Sequence, residues 1–240
     1  MNKNIFLLFL LFTLFACKQK NEEVYFKSLI DRYTNARYLQ FPDWASSVNH
    51  HEYDHILVIP SETKLADDLL FCQQYLDSLS LIKKEKLSLE SQEDLLDHQE
   101  QLHGIIKHIS NKTVFNSDPT FYNVQGPFRY LLQSQHAPLK HRLLIINKKM
   151  QSIPSYYRTA KNNLTKPKKE KITQAIDQHL NTFAFFQQTM RDSLFKAQLE
   201  KTERKKFIRN LNKAQDAIKD YVAFCNSVLF EFSNQDRDTQ

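Results

Sequence analysis

The chain has 240 residues, is 41% hydrophobic and 25% charged, and carries a formal net charge of +6. That size and balance suit one domain, or one and a half, that can bury a real core and need not be disordered. Only two glycines occur, Gly104 and Gly126, which excludes the glycine-rich loops of nucleotide sites and argues against sheets joined by tight turns.

The first residues read as a targeting segment. Met1 to Asn4 holds one cation, Lys3, and Ile5 to Phe15 is apolar apart from Thr13. The run is shorter than the ~20 residues a spanning helix needs. It closes on Ala16 and Cys17, a small residue directly before a cysteine. This layout predicts a bacterial lipoprotein signal over residues 1–16, with the Cys17 thiol taking a diacylglycerol and becoming the new N-terminus. An ordinary secretory signal or an uncleaved anchor is the alternative. Lys18 after the cysteine suits outer-membrane delivery. The expected location is the bacterial cell envelope, lipid-anchored, at the outer membrane facing the periplasm, with the membrane as a partner through that anchor. Residues 17–21 form a polar tether.

Residues 22–232 read as a helical domain. Phe26, Leu29, Ile30, Tyr33 and Ala36 share one helix face, and Phe41-Pro42-Asp43 ends that helix. Trp44 to Pro60 lacks a clean period and reads as a long loop or short irregular helix. Ser61 is placed to cap a helix with Leu65, Leu69, Cys72, Leu76 and Leu79 inward, and Ser88 to cap another with Leu95, Leu102, Ile106 and Ile109 inward. These two form an antiparallel hairpin. Asn116-Ser117-Asp118-Pro119 is a turn. Pro127, Pro138, Pro154 and Pro167 mark four further helix starts. The fourth of these helices is long, with Ile172, Ile176, Leu180, Phe183, Met190 and Leu194 on its stripe.

Thr202 is the expected cap of a last helix whose stripe runs Phe207, Leu211, Ala214, Ile218, Tyr221, Cys225, Val228 and Phe232. Steps of four and three throughout predict a seam packed at small crossing angles. A second apolar row, Val222, Leu229 and Phe230, widens that helix's apolar arc and, with Phe195, predicts exposed apolar surface. Residues 233–240 are a polar tail. The expected fold is therefore all-α, a bundle of about seven or eight helices, largely antiparallel.

The basic excess is spread along helices, densest at Lys166, Lys168, Lys169 and Lys171 and next at Arg204, Lys205 and Lys206. In an envelope protein this reads as solvated surface beside anionic lipid headgroups, with no nucleic-acid partner. Cys72 and Cys225 both fall on apolar stripes. Buried free thiols are the first reading, and an oxidising compartment allows one disulfide between them if their helices are neighbours.

One string looks catalytic. His51-Glu52-Tyr53-Asp54-His55 is a literal HExxH. In zinc peptidases its histidines sit at i and i+4 of a helix and bind the metal, while the glutamate polarises the attacking water. Here the string runs into Ile56-Leu57-Val58-Ile59-Pro60, a poor helix body, and no third ligand offers itself. A polar loop without metal is favoured over adventitious binding by His50, His51 and His55. A zinc peptidase using His51, Glu52 and His55 is the alternative. His98, His103, His108 and His179 are expected at the surface or the edge of the core. No serine or cysteine nucleophile has a usable setting.

Several short motifs occur in a fixed order. Tyr38-Leu39-Gln40-Phe41-Pro42-Asp43-Trp44-Ala45 is followed by Tyr53-Asp54, Leu87-Ser88 and Asp118-Pro119-Thr120-Phe121-Tyr122. Arg142, Ile153-Pro154 and the stretch Ala160-Lys161-Asn162-Asn163-Leu164-Thr165-Lys166-Pro167 complete the series. In order and spacing these resemble the N-terminal part of the bacterial family known as domain of unknown function 885. The resemblance implies a secreted or lipid-anchored, mainly helical protein related to gluzincin-like metallopeptidases. That family's own HExxH lies in a second, catalytic half, whereas His51 to His55 falls near its N-terminal Tyr-Asp landmark, so no catalytic residue carries over. The expectation is a non-catalytic scaffold or binding module, or a truncated remnant, which a separate catalytic half or another envelope protein could complement.

Overall fold

The computed structural model describes residues 22–238. The expected leader, Cys17 as the expected lipidation residue and the expected tether lie outside them. Among the described residues the chain is all-helical, as expected, and it is organised around two hydrophobic clusters joined through residues 41–61.

The first cluster belongs to three helices. α1 (Glu22–Gln40) buries Phe26, Leu29 and Tyr33, each three or four positions apart, and stops before Pro42. α2 (Pro42–Ser47) is a short helix with proline in its first turn. α3 (Glu62–Ser80) starts where Ser61 Oγ accepts the Lys64 N–H at 3.1 Å. α4 (Leu89–Ser110) starts where Ser88 Oγ accepts the Ser91 N–H at 3.3 Å. α3 and α4 pack as the hairpin that their stripes predict, and α1 closes their apolar face through Phe26, Leu29 and Tyr33 against Cys72, Leu79 and Leu102. Glu23 ties α1 to the hairpin. Its carboxylate accepts from Ser91 Oγ at 2.6 Å and from the Ser88 N–H at 3.1 Å. The Ser91 bond, then the Ser88 bond, hold its pKa at about 2.

The second cluster is larger. α5 (Lys112–Ser117) leads through Asp118 and a 3-10 turn at Pro119–Tyr122 into α6 (Gln125–Gln133), α7 (Leu139–Met150) and α8 (Ile153–Asn163). α9 (Lys169–Ala184) continues through a π turn at Phe185–Thr189 into α10 (Met190–Lys196), and α11 (Lys201–Asp238) is the long last helix. α11 begins before Thr202, and Glu203 accepts the Glu200 N–H at 3.0 Å. It also runs on past Phe232, through most of the stretch expected as a polar tail.

α11 is the axis of the domain and packs on α9, α8 and α7. Its stripe Phe207, Leu211, Ala214, Ile218, Tyr221 and Cys225 is no more than 2% exposed anywhere. Burying such a stripe removes apolar surface worth about 1.5–3 kcal/mol per large side chain. Val228, Leu229 and Phe232 are partly buried against the same core, while Phe195 and Phe230 are 70% and 63% exposed.

One expectation changes. The inward face of α9 runs Ile172, Ala175, His179 and Thr182, and Leu180 is half-exposed. His179 is fully buried between two carbonyls, Nδ1 at 2.7 Å from that of Ala175 and Nε2 at 3.1 Å from that of Tyr122, and the neutral ring donates its one N–H to either. The π turn then rotates the stripe, so that Phe185 and Phe186 both enter the core. The Phe186 carbonyl lies in that turn and accepts from Gln215 Nε2 at 3.0 Å. The cysteines keep to the first reading. Cys72 lies in the first cluster and Cys225 in the second, and both are free thiols. The conditional disulfide fails because their helices are not neighbours.

Candidate functional site

The segment between the two clusters carries the densest group of titratable side chains. α2 ends at Ser47, and Asn49 takes the left-handed conformation (φ 67°), which asparagine tolerates better than most residues. The chain then makes consecutive turns, with Asp54 N–H on the His51 carbonyl (3.3 Å) and Ile56 N–H on the Tyr53 carbonyl (2.9 Å). Leu57 enters the second core, and the Pro60 carbonyl accepts from Asn163 Nδ2 at 2.7 Å. The HExxH string therefore lies in turns, and its two histidines do not share a helix face. Glu52 and His55 are at the surface. Glu52 sits 3.6 Å from His50 Nε2, and the His50 ring stacks on Tyr38 at 3.8 Å. The run Ile56 to Pro60 keeps the segment extended.

The structure brings His51 together with two other residues. Asp54 is fully buried. Its Oδ1 accepts from the Ser46 hydroxyl, which also lies 3.1 Å from the Pro42 carbonyl, and its Oδ2 is 3.0 Å from His51 Nδ1. His136 arrives from the α6–α7 loop with Nε2 3.7 Å from the same Oδ2. The His51 and His136 rings stack at 3.7 Å with an 11° tilt. Burial, followed by the neighbouring His51 ring, holds the His136 pKa below the ordinary imidazole value.

The loop that carries His136 is held from both sides. Arg142 donates to the Ala137 carbonyl (2.9 Å) and to the Leu131 and Leu132 carbonyls at the end of α6. Ser134 Oγ lies 2.7 Å from His136 Nδ1 and 3.3 Å from the Leu131 carbonyl. The Tyr130 hydroxyl donates to the Ser46 carbonyl at 2.7 Å, fastening α6 to α2. A cleft of about 630 Å³ opens beside the group, lined by Asn49, His51, Tyr130, Ser134, Gln135 and His136.

Sequence reasoning singled out His51 for the string it belongs to and Asp54 only as part of a landmark, and it missed His136. Nothing in Ser134-Gln135-His136 marks it, because its partner lies far away in the chain.

The class this geometry defines is an all-α bundle of two packed units, with a histidine–carboxylate group at their joint. No family model matches the chain, and no curated protein matches it. Among solved structures, the fold is similar to that of a protein from Shewanella oneidensis described as "a putative lipoprotein of unknown function". The TM-score is 0.80 at 23% identity, over 87% of this chain and 38% of that one. The chain thus spans well under half the length of its structural neighbour.

Proposed function

We propose that this protein is a lipid-anchored component of the bacterial cell envelope, and that its bundle is a non-catalytic scaffold or binding module of the kind found in the N-terminal part of the domain of unknown function 885 family. The observation that carries this reading is the fold it shares, across 87% of its length, with a larger protein described as a lipoprotein. The leader and Cys17 supply the anchor. No helix among the described residues is long and apolar enough to cross a membrane. A separate catalytic half, or another envelope protein, is the partner the module serves.

A zinc peptidase built on His51, Glu52 and His55 finds less support. With Glu52 turned to solvent beside His50, no base faces a water that His51 and His55 could share.

The test is Cys17→Ser. Wild-type protein expressed in a bacterial host should incorporate labelled palmitate and partition into detergent, and the variant should do neither. Equal partitioning of the two overturns the anchor. Zinc-dependent peptide cleavage by the purified chain, abolished by Glu52→Gln, would replace the module with the peptidase.

A further inference from the structure

We infer that His51, Asp54 and His136 form a binding site for one divalent transition-metal ion, of the zinc class, at the joint between the two helical units. The site is independent of the lipid anchor and differs from the HExxH reading, since it uses neither Glu52 nor His55.

Three observations support it. The first is donor geometry. One ligand atom from each residue lies within 4.8 Å of the other two. The carboxylate edges are 3.0 Å to His51 Nδ1 and 3.7 Å to His136 Nε2. Donors around a four-coordinate zinc, with bonds of about 2.0–2.2 Å, sit roughly 3.3 Å apart.

The second is an unsatisfied atom. His136 Nε2 is buried and has no hydrogen-bond partner, yet it points at a buried carboxylate oxygen. If Nε2 carries the ring proton, 3.7 Å puts Asp54 Oδ2 beyond hydrogen-bond reach, and in the other tautomer, with Nδ1–H donated to Ser134 Oγ, Nε2 presents its lone pair towards Asp54. A lone pair facing an anion in a buried setting is unfavourable until a cation comes between them.

The third is the surrounding support. Ligating imidazoles characteristically give their other ring nitrogen to a neighbour, and ligating carboxylates are themselves hydrogen-bonded. Here Ser134 holds His136, Ser46 holds Asp54, and Asn49 Oδ1 lies 3.3 Å from His51 Nε2.

Three protein ligands of the His-Asp-His type leave a coordination position, and the cleft beside the group can supply water or a small anionic ligand to it. Binding needs His51 in the tautomer whose one ring proton sits on Nε2, towards Asn49 Oδ1, leaving the Nδ1 lone pair for the metal, and it requires one imidazole to turn about its Cβ–Cγ bond. A metal lies in the plane of its ligand ring, and two stacked rings 3.7 Å apart share no such point.

The experiment uses the full chain in detergent without a histidine tag. Zinc affinity is measured by competition with a chromophoric chelator, and coordination by the visible spectrum of the cobalt-substituted protein. Wild type should bind one equivalent of zinc, and the cobalt form should show the intense bands of a low-coordinate nitrogen–oxygen site. His136→Gln and Asp54→Asn should each weaken binding by at least about tenfold, whereas Glu52→Gln with His55→Gln should bind as wild type does. Should Asp54→Asn fail to fold, His136→Gln decides alone, since it changes a loop residue. No stoichiometric binding, or binding that survives His136→Gln, overturns the site.

Discussion

Lys149 and Asp43 form an ion pair at 2.8 Å across the joint between the two units, with the lysine 1% exposed and the aspartate half-exposed. Lys149 belongs to α7 and Asp43 to α2, so this contact seats the short helix that leads into the His51–Asp54 turns. Asp43→Asn should cost about 1–3 kcal/mol, because a buried ammonium loses its charged acceptor while the aspartate's exposure limits the loss. Lys149→Met should cost less than Asp43→Asn, since it removes the buried charge as well. Urea denaturation of the two variants checks the order, and the reverse order would refute this account of the joint.

The seam of α11 should be intolerant of charge. Ile218 is completely buried in the middle of the stripe. Ile218→Asp buries an unpaired carboxylate and should cost more than about 4 kcal/mol, enough to leave much of the protein unfolded. Far-UV circular dichroism on heating reads this directly. A melting point near wild type would show that the stripe is not core.

Acid should weaken the fold in two windows. His98, His136 and His179 all have pKa values lowered chiefly by burial, with the His179 bonds to Ala175 and Tyr122 opposing the shift only in part. The unfolded chain therefore takes up protons first. The stability from keeping these rings neutral is complete above about 6.5 and is lost as pH falls towards the depressed folded values, by at most about 1.4 kcal/mol per pH unit for each ring. His179→Gln in the presence of a chelator should flatten the slope below pH 6.5 by up to one proton's worth. An unchanged slope would mean that His179 titrates normally. Glu23 acts lower down. Its contribution is present above the ordinary carboxylate range and is lost as pH approaches about 2. Glu23→Gln should therefore leave the neutral window's slope unaltered.

The thiols should be silent until the chain unfolds. Burial first, and then the Asp68 carboxylate, push Cys72 up to about 11, while burial pushes Cys225 up to about 12. At pH 8 neither should react with iodoacetamide in the native protein, and both should be alkylated in denaturant. A reductant-sensitive crosslink between them would contradict their placement in separate cores.

The fold was legible wherever local sequence reports it. The four-three stripe from Phe207 to Cys225, the caps at Ser61 and Ser88 and the stop before Pro42 each depend on residues within a turn or two, and the structure has each where the spacing puts it. Helix periodicity reveals which face of a segment is apolar, and for long helices that is nearly enough.

Tertiary structure decided what those faces meet. His179 became a core residue because a carbonyl from the Pro119–Tyr122 turn came within reach, and no local pattern announces that partner. Cys72 and Cys225 lie on equally apolar stripes that belong to different clusters. The HExxH letters describe a metal site only on a helix. The chain there is in turns, because an extended run ending in Pro60 follows and two packing units must be joined. His51 and Asp54 met His136 for the same reason: polar groups are buried where distant segments supply partners, and only folding brings those segments together.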